Sequence, residues 1–306
     1  MVLHDAGPLF VQEVPGSPRP AHVYLAPTLD GLYVPYALRT PADEGVFPFV
    51  LLAYGNGGGG LEWLSSRLRS HSYIMERLLA AGYACAWARY RTEVEQGYHL
   101  GGPLVVDERS GMELMNRSPL EFEDELAILR HVGRHPGVDA DRLAHVGVSH
   151  AGEMLFKLAS RYPGVLRAGV ASEPANHEFL DLRPESSDFI GADARGKVEE
   201  MQMHDTQRVR ARCNVPLALE RIRGIDVPIL VMGRDDDHLQ GIFRLSYELL
   251  AESGKDATWA TWDHPSHGYV FPESDAQGRA RVDPTQEEAI DVIIGFLDQH
   301  LLTAGT

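Results

Sequence analysis

The chain predicts an α/β fold with a mostly parallel central sheet, entered through antiparallel N-terminal strands and covered by helices on both faces. Three observations carry that expectation. Short apolar runs recur along most of the sequence and are nearly continuous, the pattern of strands buried on both sides. Stretches with helical spacing of apolar residues separate them. The opening segment has extended runs around an Asp30-Gly31 turn, the sign of an antiparallel hairpin.

Taken in order, "HVYLAPTLDGLYVPYALRTP" supplies the hairpin. The runs "FPFVLLAYG" (47–55), "YACAWARY" (83–90), "RLAHVGVS" (142–149), "LRAGVAS" (166–172), "VPILVMG" (227–233) and "ATWATWDH" (257–264) supply the sheet. The intervening helices are read in "LEWLSSRLRSHSYIMERLLAAG", "SPLEFEDELAILRHVGRHPG", "GEMLFKLASRYPG", "LQGIFRLSYELLAESGK" and "DPTQEEAIDVIIGFLDQHL". In "EFEDELAILRHV" the residues Phe122, Leu126, Leu129 and Val132 share one face, and its acids are expected to face solvent. Residues 91–118 and 173–225 are longer connections, each after a strand end, and such excursions tend to roof a site. The expectation is one domain over 1–306, with 173–225 as a candidate lid or cap. No internal repeat, low-complexity tract or flexible linker interrupts the pattern.

Composition narrows the partners. Hydrophobic residues at 44% and charged residues at 24% belong to an ordinary globular chain. The 44 acidic side chains against 28 basic ones give a net charge of -16, with no Lys/Arg stripe, which argues against nucleic acid and anionic membranes as partners. The start, "MVLHDAGPLFVQEVPG", breaks its apolar residues with His4, Asp5 and Gly7, and no later run reaches spanning length, so a cytoplasmic protein is expected. Cys85 and Cys213 are too few and too far apart for a disulfide framework or a zinc site, and both read as structural thiols.

The candidate site begins with "HVGVSHAGEM". Ser149 follows an apolar run, opens a helical stretch and stands among Gly147, Ala151 and Gly152. A hydroxyl is a weak nucleophile, so it must project from a sharp strand-to-helix turn whose neighbours are small enough for close backbone approach. The pattern G-x-S-x-G has alanine, still small, at its last position. The competing reading is a serine that only caps the helix, and that reading requires no partners elsewhere.

Partners are present. "RDDDHL" follows the strand "VPILVMG", and the third position past Gly233 makes Asp236 the expected acid, with Asp237 next and the remaining acids solvated. Glu173, just past "GVAS", is a second acid position whose plainer reading is a solvated loop carboxylate. "HPSHGYVF" offers His267, followed by a glycine that lets the loop fold back; His264, nearer the strand, ranks lower. A developing oxyanion needs amide donors. The amide of His150 is the first, and the loop "AYGNGGGGLEW" (53–63) offers Asn56 or Gly57 as the second. That loop is no phosphate or dinucleotide fingerprint, since no G-x-G-x-x-G with a downstream ribose acid and no G-K-[ST] is present, and no cofactor or metal is expected.

With these blocks in place the chain resembles the α/β-hydrolases, and within them the dienelactone hydrolase and prolyl-oligopeptidase branch. "TLDGLYVPYALRTP", "FPFVLLAYGNGGGG", "AGYACAWARYR", "PGVDADRLAHVGVSHAGE", "IDVPILVMGRDDDH" and "HPSHGYVF" occur in that branch's order, from about residue 22 onward. The resemblance implies Ser149 as nucleophile, Asp236 as acid, His267 as base and the His150 amide in the oxyanion hole. The branch's His-Gly-Gly start of the glycine loop is replaced by Tyr54, Gly55 and Asn56. Its propeller has no residues here to build it, which favours small acyl esters over peptides. The expected function is a serine-dependent carboxylesterase acting on a small acyl substrate, with a homodimer as one compatible assembly. The alternatives are a peptidase or amidase at the same site, an acyltransferase or lyase on the same fold, and, last, an inactive binding protein.

Overall fold

The computed structural model describes residues 7–55, 57–91, 120–182 and 203–302. In chain order the strands of the main sheet are β1 (Phe10–Gln12), β2 (Ala21–Pro27), β3 (Tyr33–Arg39), β4 (Phe47–Tyr54), β5 (Ala84–Ala88), β6 (Val138–Val148), β7 (Ala168–Ser172), β8 (Ile229–Arg234) and β9 (Ala257–Trp262). They lie in the order β1-β2-β3-β5-β4-β6-β7-β8-β9. The first three are antiparallel to one another, and β3 is antiparallel to β5. From β5 onward every neighbour is parallel. The expected fold class is therefore the one observed. The hairpin closes where Thr28 N–H donates to Leu32 O at 2.9 Å and Gly31 takes φ 81, a left-handed turn that glycine adopts without steric cost.

Alternation along the strands divides the core between two faces. Phe49 and Leu51 of β4, with Ile229 and Val231 of β8, pack beneath α3 (Leu120–Val132), α4 (His150–Arg161) and α7 (Gln240–Glu252). Val50 and Leu52, with Leu230 and Met232, pack beneath α1 (Gly60–Ser70), α2 (Tyr73–Ala80) and α8 (Pro284–Leu297). Both faces of the central strands are covered, as their near-continuous apolar runs require. The stretch expected as one helix after β4 is two, because His71 leaves helical geometry at φ -139, ψ 39.

One expectation fails on α3. Its acids do not face solvent: Glu121, Asp124 and Glu125 are buried. Each has a partner that periodicity could not reveal. Glu125 meets His145 of β6 at 2.9 Å, Asp124 meets Arg91 at 2.6 Å, and Glu121 meets His150 at 2.8 Å. A buried carboxylate is tolerable only when paired in this way.

Two further helices, α5 (Thr206–Arg212) and α6 (Val215–Arg223), lie within the long connection after β7. Its first residues are pinned to α4: Glu153 Oε1 accepts the amides of Glu178 at 2.7 Å and Phe179 at 2.8 Å. Arg221 of α6 donates to the carbonyl oxygens of the same two residues at 2.5 and 2.7 Å. The middle of the expected lid, residues 183–202, and most of the excursion 91–118 lie outside the described residues.

Candidate active site

Ser149 sits between β6 and α4 at φ 59, ψ -123, a conformation that a residue bearing a Cβ rarely adopts. Such backbone costs on the order of 1–3 kcal/mol and is held only when its surroundings over-determine it. Here they do. Ser149 N–H donates to Ser172 O at 2.9 Å, and its carbonyl accepts Gly152 N–H at 2.9 Å and Ala175 N–H at 3.0 Å. The small neighbours are needed for space. A Cβ on Gly147 would lie 2.4 Å from Ala151 O, and one on Gly152 would lie 2.8 Å from the Pro174 side chain. Ser149 occupies the N-cap position yet makes no side-chain capping bond, so the plain helix-cap reading fails.

His150, the next residue, opens α4, where N–H groups have no acceptor in their own helix. Its ring is buried between Glu121 at 2.8 Å and Glu153 at 3.3 Å, so the first turn of the helix is tied to α3 and to its own second turn.

At the other strand ends, the acid and the histidine meet with one correction. Asp236 turns at φ 56, is exposed, and offers its amide to Gln240 Oε1 at 3.2 Å; it does not approach His267. Asp237 is the buried residue, and its Oδ2 lies 2.9 Å from His267 Nδ1. The left-handed turn at Asp236 reverses the direction of successive side chains, which sends 236 outward and 237 inward. Asp237 also accepts from Arg234 Nε at 2.9 Å and from Leu239 N–H at 2.9 Å, and His238 Nδ1 lies 3.3 Å from its Oδ1. Burial alone would raise the Asp237 carboxyl, but the hydrogen bond and charge of His267, with the Leu239 amide, hold it below the usual carboxylate value. Burial likewise disfavours the His267 imidazolium, yet the Asp237 hydrogen bond and the nearby Glu173 charge outweigh it, and the pKa is raised. His264 is not at this centre: its Nε2 meets Asp283 Oδ2 at 3.0 Å, at the N-cap of α8.

Glu173 is no solvated loop carboxylate either. It is fully buried at the end of β7, at φ 49, with Oε2 accepting Gly268 N–H at 2.5 Å and lying 3.9 Å from His267 Nδ1. A Cβ on Gly268, at φ 73, would lie 3.1 Å from Val148 Cγ1 and 2.6 Å from the Tyr54 ring. The histidine loop is therefore laid directly against the residue before Ser149.

The glycine loop after β4 is organised by a residue the sequence reading passed over. Arg89, buried at the end of β5, donates to the carbonyls of Tyr54 at 2.9 Å and Gly57 at 2.7 Å and to that of Gly58, while its guanidinium stacks 4.0 Å from the Trp63 ring. Gly58 N–H donates to Tyr90 O at 2.9 Å, and the Tyr90 hydroxyl donates to Gly55 O. In a trans peptide the carbonyl and the following N–H point oppositely, so a carbonyl drawn to Arg89 turns the Gly59 amide away from it. Asn56 lies outside the described residues, and the Gly57 amide belongs to the peptide it shares with Asn56. A charged residue directly after a wholly apolar strand was the available signal for Arg89.

Among the described residues, one group, Asp237, His238 and His267, has potential metal-ligand atoms within 4.8 Å of one another. Both Asp237 oxygens are already engaged by donors, one of them the Arg234 guanidinium, whose charge opposes a cation. That donor set does not fit a metal site. Burial pushes the thiols of Cys85 and Cys213 each up to about 12, which disfavours the thiolate. No helix among the described residues is long and apolar enough to cross a membrane.

This architecture is the α/β-hydrolase fold. No protein-family model matches the chain, and no curated protein matches it. Solved structures do. It is similar to Porphyromonas gingivalis dipeptidyl peptidase 4, at 17% identity and TM-score 0.60 over 92% of this chain and 36% of that one. Pyrococcus horikoshii acylaminoacyl peptidase matches at 15% identity and TM-score 0.61, over 94% of this chain and 43% of that one. The hyperthermophilic esterase of Pyrobaculum calidifontis matches at 18% identity and TM-score 0.59, over 91% of this chain and 83% of that one. The chain thus spans less than half the length of those peptidases and most of that esterase.

Proposed function

We propose that the chain is a serine hydrolase that cleaves small acyl esters through an acyl-enzyme on Ser149. The observation that carries the reading is the conjunction of a strained, uncapped serine with a hydrogen-bonded His267–Asp237 pair whose loop packs against the serine's own strand. With Nδ1 held by Asp237, His267 keeps Nε2 for the reaction. Nε2 takes the Ser149 Oγ proton as Oγ attacks the ester carbonyl. The imidazolium then gives that proton to the departing alkoxide as the C–O bond breaks. A water, deprotonated by the same nitrogen, attacks the acyl-enzyme, and the collapse returns the proton to Oγ and frees the acid. Asp237 holds the tautomer and stabilises the imidazolium. The amide of His150 and one from the glycine loop take the oxyanion.

The similarity to an esterase supports an ester substrate, and the similarity to peptidases keeps an amide substrate as the second reading. The test is turnover of nitrophenyl acyl esters of increasing chain length beside an aminoacyl anilide, by wild type and Ser149→Ala. Serine-dependent ester turnover well above anilide turnover is the expected result. Anilide turnover that matches or exceeds it would make the protein a peptidase, and no serine-dependent turnover of either would remove the hydrolase reading.

A further inference from the structure

Resting on that reading, we infer that Glu173 is a positioning residue for His267: a second buried carboxyl that fixes the base's loop through Gly268 and shares the imidazolium charge with Asp237. Three separate features of the fold serve this one side chain. Its backbone takes a left-handed φ of 49 that a glutamate rarely adopts. Gly233 makes room for it, since a Cβ there would lie 2.9 Å from Glu173 Cγ. The Gly268 amide donates to its Oε2 at 2.5 Å, and Oε1 is buried with no hydrogen-bond partner. A carboxyl whose only duty was to accept backbone amides would not need such accommodation, because a glutamine would accept them without the cost of burying a charge.

The geometry divides the labour between two carboxyls. Asp237 Oδ2 is within hydrogen-bond reach of His267 Nδ1 at 2.9 Å, whereas Glu173 Oε2, at 3.9 Å, acts through charge and through the loop. The other groups facing Glu173 are few: Asp237 and the Arg234 backbone from β8 and its turn, Tyr269 beyond Gly268, and Tyr54 at the end of β4. Burial, only partly offset by the His267 charge, pushes the Glu173 carboxyl up to about 7. Its negative form is favoured when His267 is positive.

The experiment reads His267 itself and needs no substrate. The His267 ring is titrated by NMR in wild type, Glu173→Gln, Asp237→Asn and the double variant, with kcat and KM for the best ester measured alongside. Glutamine keeps an oxygen for the Gly268 amide and removes only the charge. The expected result is a His267 titration lowered by about one pH unit in Glu173→Gln. The double variant should lie lower still than Asp237→Asn, and kcat should fall about tenfold with KM little changed. An unmoved titration in a folded Glu173→Gln protein would overturn the inference and leave Glu173 a loop anchor. If that variant does not fold, Glu173→Asp, which keeps the charge but withdraws it, should give a smaller downward shift, and no shift there would overturn it equally. A shifted titration in a protein with no serine-dependent turnover of ester or anilide would uphold Glu173 and remove the hydrolase reading, so the two failures are distinguishable.

Discussion

The two sides of the site are built from opposite materials. On the acid–base side, the carboxylates of Glu173 and Asp237, past the ends of β7 and β8, each lie within 4 Å of His267 past β9, and the charges influence one another's protonation. On the glycine-loop side the described side-chain hydrogen bonds run to main-chain carbonyls, from Arg89 and the Tyr90 hydroxyl. One guanidinium, Arg89, grips a run of main-chain carbonyls, and the groups made available are backbone dipoles. Under the proposed mechanism the difference assigns proton transfer to charge balance, which responds to pH, and oxyanion stabilisation to backbone geometry, which does not.

Ser149→Ala is the largest break, because in the proposed mechanism the acyl-enzyme forms on that oxygen. Ester turnover should fall by on the order of 10⁶, with the circular dichroism spectrum and melting temperature close to those of wild type. Asp237→Asn should reduce kcat by about 10⁴, since the amide cannot hold the working tautomer. Asp236→Asn should change kcat by less than about twofold, as exposed positions away from a site usually behave. Equal losses in the two asparagine variants would undo the assignment of the inward acid.

On the other side, Arg89→Lys keeps the charge but loses the fork that spans several carbonyls. A loss of about tenfold in kcat at nearly constant KM is expected, below the penalty for deleting an oxyanion donor outright, and its pH profile should overlay that of wild type. A shifted profile would mean that the two sides are not independent. For wild type, kcat/KM should rise with pH as His267 loses its proton, with the limb above the ordinary histidine value of about 6.5, since the raised pKa keeps the imidazolium to higher pH. In Asp237→Asn the limb should move to lower pH. The smallest effect is expected from thiol alkylation at pH 8, where Cys85 and Cys213 should stay unmodified in the folded protein and activity should persist.

How much of this was legible in the sequence follows from the range of each interaction. The strand runs, the Asp30-Gly31 hairpin and the amphipathic helices depend on residues near in sequence, and the sheet reproduces them. Ser149 and His267 could be singled out as candidates because an elbow and a strand-end loop have local signatures. The inward acid was misplaced by one residue, because the left-handed turn at Asp236, and not the count from Gly233, decides which side chain points in. The acids of α3 were misjudged because helical periodicity says which face is apolar but not whether a carboxylate meets His145, His150 or Arg91 from a distant segment.

By itself, then, the amino-acid order determined the alternation of strand and helix, the hairpin entry, and the small residues around a serine that needs space, since each is settled by contacts a few residues apart. Tertiary structure alone decided that Asp237 faces His267, that Glu173 is buried beneath the histidine loop, and that Arg89 holds the glycine loop. Those relations join residues that lie 30, 95 and 31 positions apart along the chain. A charge's role depends on which partners the fold brings within a few ångströms and on how much water it removes from between them.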